Sequence, residues 1–116
     1  MLDERRLDVL RGLDSGGRLL SRVVGTFVRD TPTTMQALEE AGRARDGPGT
    51  MQLAHRLRGM AGMLGAESLA ALCATLEERA NAGLLDGALD LLADIRAELD
   101  RAAAALGAAI APPQPQ

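Results

Sequence analysis

AHRLRGMAGMLGAESLAALCATLEE, residues 54–78, reads as two helices folded back on a tight turn. Leu57, Ala61 and Leu64 recur three and four residues apart before Gly65, and Leu69, Leu72, Leu76 and Ala80 do the same after it. That spacing gives each arm one apolar face. Gly65 falls at the C′ position, where a left-handed backbone closes a helix. Two features exceed what a structural hairpin needs. Gly59 and Gly62 lie inside the first arm, where each costs about 1 kcal/mol relative to alanine. The only histidine of the chain, His55, stands one turn before Gly59.

The same period extends outward in both directions. A short helix is expected over residues 3–13, with Asp3 as N-cap and Leu7 and Leu10 on one face. Asp14-Ser15-Gly16-Gly17 breaks it. From Ser15 to about Asp46 the stripe is Leu19, Leu20, Val23, Val24, Phe27, Val28, Met35 and Leu38. Pro32 is expected to kink or split this helix near Asp30-Thr31. RDGPGT, residues 45–50, ends it with turn-forming residues.

The helix that carries His55 is expected over 49–64, and the next from Glu67-Ser68 to Ala82. After NAGLLDG, a last helix spans about 86–106, with Leu89, Leu92, Ile95 or Arg96, Leu99 and Ala103 on its stripe. Alternation of the strand type is absent. Short connections make neighbouring helices antiparallel. The fold class is therefore all-α: an antiparallel up-down four-helix bundle with a short additional N-terminal helix. The domain is placed at residues 1–107, and residues 108–116, ending APPQPQ, read as a disordered Pro-rich tail.

Composition removes several function classes. The chain has 116 residues, enough for one core. Cys73 is its only cysteine, so no intramolecular disulfide or cysteine-cluster zinc site can form, and a lone thiol in an apolar run belongs in the core. Net charge is −3 and Phe27 is the only aromatic, against the basic, aromatic-bearing face of a nucleic-acid binder. No stretch approaches the ~20 apolar residues of a membrane span. The charged start MLDERRLDVL lacks a signal-peptide core, so a cytoplasmic protein is expected. One histidine, with no Glu-x-x-His pair, argues against a metal-binding bundle. No Gly-rich nucleotide loop is present.

With Leu57 at zero on a helical wheel, Leu53, Met60, Ala61 and Leu64 fall within about 60° of it. His55 falls about 160° away, together with Gln52, Gly59 and Gly62. The imidazole is thus expected on the solvent face beside a bare strip of backbone, suited to close approach by something large. His55 precedes Ala66 by 11 residues and Glu77 follows it by 11. Each therefore stands about 16 Å from the turn, level with the other. Glu77 could accept from Nδ1–H and leave Nε2 nucleophilic. Geometry alone leaves equally open that Glu77 is an ordinary flanking carboxylate.

His55-Arg56-Leu57-Arg58-Gly59-Met60-Ala61-Gly62-Met63-Leu64-Gly65 resembles the signature of histidine phosphotransfer (HPt) domains of bacterial two-component phosphorelays, approximately His-x-Leu-Lys-Gly-x-x-x-x-Leu-Gly. Ala54, the pair Leu76-Glu77, Phe27 and Pro32 extend the likeness over about residues 3–106. Arg58 departs from the usual lysine, in a chain that has no lysine at all.

The resemblance implies a phosphoryl carrier without ATP binding or autonomous catalysis. His55 would accept the phosphoryl group of a receiver-domain phospho-aspartate and pass it to another receiver aspartate. Arg58 would steady the phosphoryl oxygens and Glu77 would orient the imidazole. Gly59 and Gly62 would give access, with Gln52, Arg56 and Met63 on the docking rim. No metal or cofactor would be its own, since the receiver supplies Mg²⁺. Its partners would be receivers of a hybrid histidine kinase or a response regulator, and it would act as a monomer. Two alternatives share the fold: a receiver-binding adaptor that passes no phosphate, and a domain phosphorylated directly by a chemotaxis-type kinase.

Overall fold

The structure, a computed structural model, describes residue 3, residues 5–6 and residues 18–110. Among these residues the four long helices are α1, Arg18–Arg43; α2, Gly47–Met63; α3, Glu67–Asn81; and α4, Ala88–Ile110. Each packs on its neighbours in the chain, and α1 also packs on α4, which closes the ring. The architecture is the all-α up-down bundle. The expected helix over 3–13 lies outside the described residues except at Asp3, Arg5 and Arg6. There, Asp3 Oδ1 accepts the Arg5 N–H at 3.0 Å, as an N-cap does. The Asp3 N–H in turn donates to the Gly65 carbonyl at 2.7 Å, which ties this end of the chain to the α2–α3 turn.

The buried residues follow a three-four spacing on every helix: Val24, Phe27, Thr31, Met35 and Leu38 on α1; Ala54, Leu57, Ala61 and Leu64 along α2 and its cap; Leu69, Cys73, Leu76 and Ala80 on α3; and Ala88, Leu92, Ile95, Leu99, Ala102 and Leu106 on α4. Such stripes seat knobs into holes between nearly antiparallel helices. Gly42 brings α1 close to α4, since a Cβ there would stand 2.6 Å from Leu92 Cδ1.

Several expectations need correction. Val28 is 42% exposed and Leu89 is 60% exposed, both off the core. Thr31 takes the inward position on α1, and α4 begins its stripe at Ala88. Ile95, not Arg96, faces inward. On α2 the stripe is turned toward Ala54, so Leu53 and Met60 are only partly buried. On α3, Cys73 takes the core position and Leu72 is partly buried.

Pro32 does not split α1. The hydroxyls of Thr31 and Thr34 accompany it through that turn, donating to the Phe27 carbonyl at 2.7 Å and the Asp30 carbonyl at 3.2 Å. Pro48 lies inside α2 rather than ahead of it, because the first turn needs no N–H from it. Residues 108–110, expected in the tail, continue α4.

All three connections begin with the same helix stop. Ala66 N–H donates to the Ala61 carbonyl and Gly65 N–H to that of Gly62; Leu84 to Arg79 and Gly83 to Ala80 repeat the pattern; so do Asp46 to Ala41 and Arg45 to Gly42. This is the Schellman arrangement, with C′ in the left-handed region at Gly65, Gly83 and Arg45, where φ is 74°, 75° and 56°.

Candidate functional site

The site is built on α2, whose two ends are both firmly closed. Asp46 caps the start, accepting the Gly49 N–H on its side chain at 3.0 Å. The Schellman turn at Gly65 closes the other end. His55 stands in mid-helix between them, so its backbone is fixed and only the side chain has freedom. The imidazole is 66% exposed. Gln52, Gly59 and Gly62 are exposed on the same side. A Cβ added at Gly59 or Gly62 would meet nothing within 4 Å. Nothing in the bundle itself therefore requires glycine at either position.

Glu77 reaches the imidazole from α3. Its Oε2 lies 2.6 Å from His55 Nδ1, and its side chain is 17% exposed. An ionised carboxylate can only accept, so Nδ1 is the donor in this contact. In a neutral ring with Nδ1–H, Nε2 carries the free lone pair. The Arg58 guanidinium approaches from one turn along α2. Its Nη2 is 3.2 Å from His55 Nδ1 and 3.3 Å from Glu77 Oε1. Since Nδ1 already donates to Glu77, it cannot also accept from Arg58. The guanidinium forms an ion pair with the carboxylate, and its N–H directed at Nδ1 finds an acceptor there only in the other tautomer of the ring.

Cys73 lies one turn before Glu77 and is fully buried. Burial pushes its thiol up to about 12, with Arg58 opposing and Glu77 adding to the rise. It is an inert core residue at neutral pH.

The α3 flank of His55 is thus occupied by Glu77 and Arg58, and the α1 flank is open. Two shallow cavities lie between α1 and α2, both bordered by Met60. One, about 220 Å³, is lined by Val23, Phe27 and the 52%-exposed Met63. The other, about 310 Å³, is lined by Asp30, Thr33 and Arg56. The structure thus brings His55, Arg58 and Glu77 into one cluster and leaves Gln52, Gly59 and Gly62 bare beside it. It sets Arg56 and Met63 along the α1 flank. Thr26, Asp30 and Thr33, which also line these cavities, did not stand out in the sequence, and Val23 stood out only as part of an apolar stripe. Their place depends on how α1 aligns with α2, which the pattern of either helix alone does not carry.

Among the described residues no three His, Cys, Asp or Glu side chains converge as metal ligands, and no helix is long and apolar enough to cross a membrane.

An exposed imidazole held by a carboxylate, on the face of a four-helix bundle, offers one free ring nitrogen to an approaching partner. The sequence matches the family described as Hpt domain over residues 22–105, and the chain belongs to that family. The fold is similar to that of histidine-containing phosphotransfer protein B (HptB) from Pseudomonas aeruginosa PAO1, at 28% identity and a TM-score of 0.84 over 90% of each chain. No curated protein matches the chain. The protein is a histidine phosphotransfer protein, of a class that carries phosphoryl groups in two-component systems and works with receivers or kinases.

Proposed function

We propose that His55 is the phosphoryl acceptor and that the protein shuttles the group between receiver-domain aspartates. The observation that carries this reading is the 2.6 Å contact between Glu77 Oε2 and Nδ1 of a largely exposed imidazole. In the transfer, Nε2 attacks phosphorus, the N–P bond forms and the P–O bond to the donor aspartate breaks, releasing that aspartate as a carboxylate. No proton leaves the ring. Nδ1–H is retained, and Glu77 balances the positive charge that the ring acquires. The reverse sequence delivers the group to a second aspartate.

Phosphoryl transfer is chiefly a matter of positioning and charge stabilisation. The reading asks little more of this chain: an oriented imidazole, a cation at Arg58 near the phosphoryl oxygens, and room for a partner. Gly59 and Gly62 give that room, and Gln52, Arg56 and Met63 form the docking rim. The open α1 flank supports an approach from that side. The carrier needs no cofactor of its own, the receiver bringing Mg²⁺, and acts in the cytoplasm as a monomer.

The test is incubation with a ³²P-phosphorylated receiver. Acid-labile, alkali-stable label should appear on the wild type and be absent from His55→Gln. Label that persists on His55→Gln, or fails to appear on the wild type, overturns the reading.

A further inference from the structure

Of the three Schellman stops, only the one at Arg45 is not a glycine. Its φ is 56°, against 74° at Gly65 and 75° at Gly83. A side chain in the left-handed region costs a factor of about five to thirty in the folding equilibrium. The guanidinium makes one contact in return: Nη2 donates to Asp86 Oδ1 at 2.6 Å, between side chains 66% and 95% exposed. An ion pair so open to water returns a factor of about five at most. The fold alone therefore favours glycine here, and a strained residue kept against that preference points to a use outside the fold.

Arg45 lines a cavity of about 400 Å³ together with Gly47, Met51, Asn81 and Gly83. Met51 lies one turn before His55 on α2, and Asn81 lies one turn after Glu77 on α3. The cavity thus extends the His55–Glu77 face by about 6 Å toward the α1–α2 turn. Among the described residues Arg45 is the only ionisable side chain on its lining. A partner that reaches His55 covers this cavity as well. A standard interface takes ~800 Å² from each side, a disc of radius about 16 Å, which exceeds that step of about 6 Å.

Resting on the reading above, we infer that this cavity is a docking subsite for the receiver, where Arg45 binds a carboxylate carried on a receiver loop beside the phosphorylated aspartate. Asp86 shows the kind of group the guanidinium takes, a carboxylate on an exposed turn. Only Nη2 is engaged there, and Nε and Nη1 remain to meet a second carboxylate. The lining holds a cation, the amide of Asn81 and no anion, so it admits an acidic loop and disfavours a basic one. Arg45 acts on which receiver docks and how fast, not on the phosphoryl group.

The experiment compares wild type, Arg45→Gly and Asp86→Asn as acceptors from a ³²P-phosphorylated receiver domain that labels the wild type, at receiver concentrations below saturation. Arg45→Gly should take up label about five- to twentyfold more slowly at low salt. The difference should close toward about 0.5 M NaCl, as exposed charges are screened. Its denaturant midpoint should equal or exceed that of the wild type, because glycine relieves the left-handed backbone. Asp86→Asn should stay within about twofold of the wild-type rate, since the subsite does not need the ion pair. An unchanged rate in Arg45→Gly overturns the inference. So does an equal loss in Asp86→Asn, which would assign the effect to the link between the two turns, or a loss that salt does not diminish. Phosphoramidate, a small donor that needs no docking, should label all three proteins at one rate. Failure to label the wild type would overturn the carrier reading and this inference with it. Equal phosphoramidate labelling with an unchanged receiver rate in Arg45→Gly would leave His55 as acceptor and remove only the subsite.

Discussion

At the scale of single residues, the chain sets its lone histidine and its lone cysteine in opposite environments. His55 and Cys73 lie on facing helices near the same Glu77, yet one is exposed and oriented while the other is sealed in the core. The thiol, pushed up to about 12 by burial, is protonated at any physiological pH. Native protein at pH 8 should therefore react with a disulfide reagent at least about a hundredfold more slowly than a free cysteine, and should react fully once unfolded. Rapid labelling of the folded chain would contradict this placement of Cys73. The pairing of His55 with Glu77 was legible as a register: equal distances from one glycine turn. Which of its two oxygens Glu77 offers to the ring, and where Arg58 points, were not legible. Both depend on side-chain rotamers that residue spacing does not specify.

At the scale of elements, two kinds of glycine can be told apart. Gly62 has an ordinary helical backbone and free space where a Cβ would go. Alanine there should raise stability by about 0.5–1 kcal/mol, read as a higher denaturant midpoint at unchanged slope. A bulky residue such as leucine should leave the fold intact and slow transfer from a receiver, while labelling by phosphoramidate stays at the wild-type rate. Equal receiver transfer in that variant would remove the access role of Gly62.

Gly65 is different. Its φ is 74°, and a Cβ would stand 2.9 Å from the Asp3 backbone nitrogen. Alanine there should cost about 1–2 kcal/mol for the left-handed backbone, and more through the displaced Asp3 contact. A chemical denaturation curve matching wild type would contradict this. The Gly65 stop was legible because glycine announces a left-handed residue. The stop at Arg45 was not, since arginine seldom adopts φ of 56°. For that reason 45–50 reads in sequence as one long turn, when Asp46 already caps the next helix. Pro32 misled in the opposite direction: α1 runs through it, and the carbonyl left without its N–H belongs to the half-exposed Val28, on the solvent side of the helix.

At the scale of the whole molecule, the bundle closes where its first and last helices meet. Arg96 on α4 grips Glu39 on α1 through two nitrogens, with Nε at 3.1 Å from Oε2. The hydrogen bond from Arg96 is the main cause holding the Glu39 carboxyl below its ordinary value of 4.5, with the charges of Arg96 and Arg43 adding to it against a partial burial. A lowered carboxyl stabilises the fold fully above the unfolded value and loses that contribution as pH falls through the folded one. Glu39→Gln should thus be less stable than wild type by up to about 1 kcal/mol near pH 7, since the pair is partly exposed. The gap should shrink below pH 4.5. A gap that grows on acidification would contradict the assignment.

The four long helices, their antiparallel order and the histidine face were legible because each follows from the apolar period of one helix and the length of its loops. The α1–α2 cavities and the Glu39–Arg96 pair were not, because they depend on the axial alignment of helices distant in sequence. The central claim remains that Glu77 keeps the proton on Nδ1 so that Nε2 takes the phosphoryl group. Phosphorus-coupled ¹⁵N NMR of the phosphorylated protein tests it most directly. The account predicts an N–P bond at Nε2 of His55 with Nδ1 still protonated. Phosphorus bonded to Nδ1, or no phosphorus on His55, would contradict it.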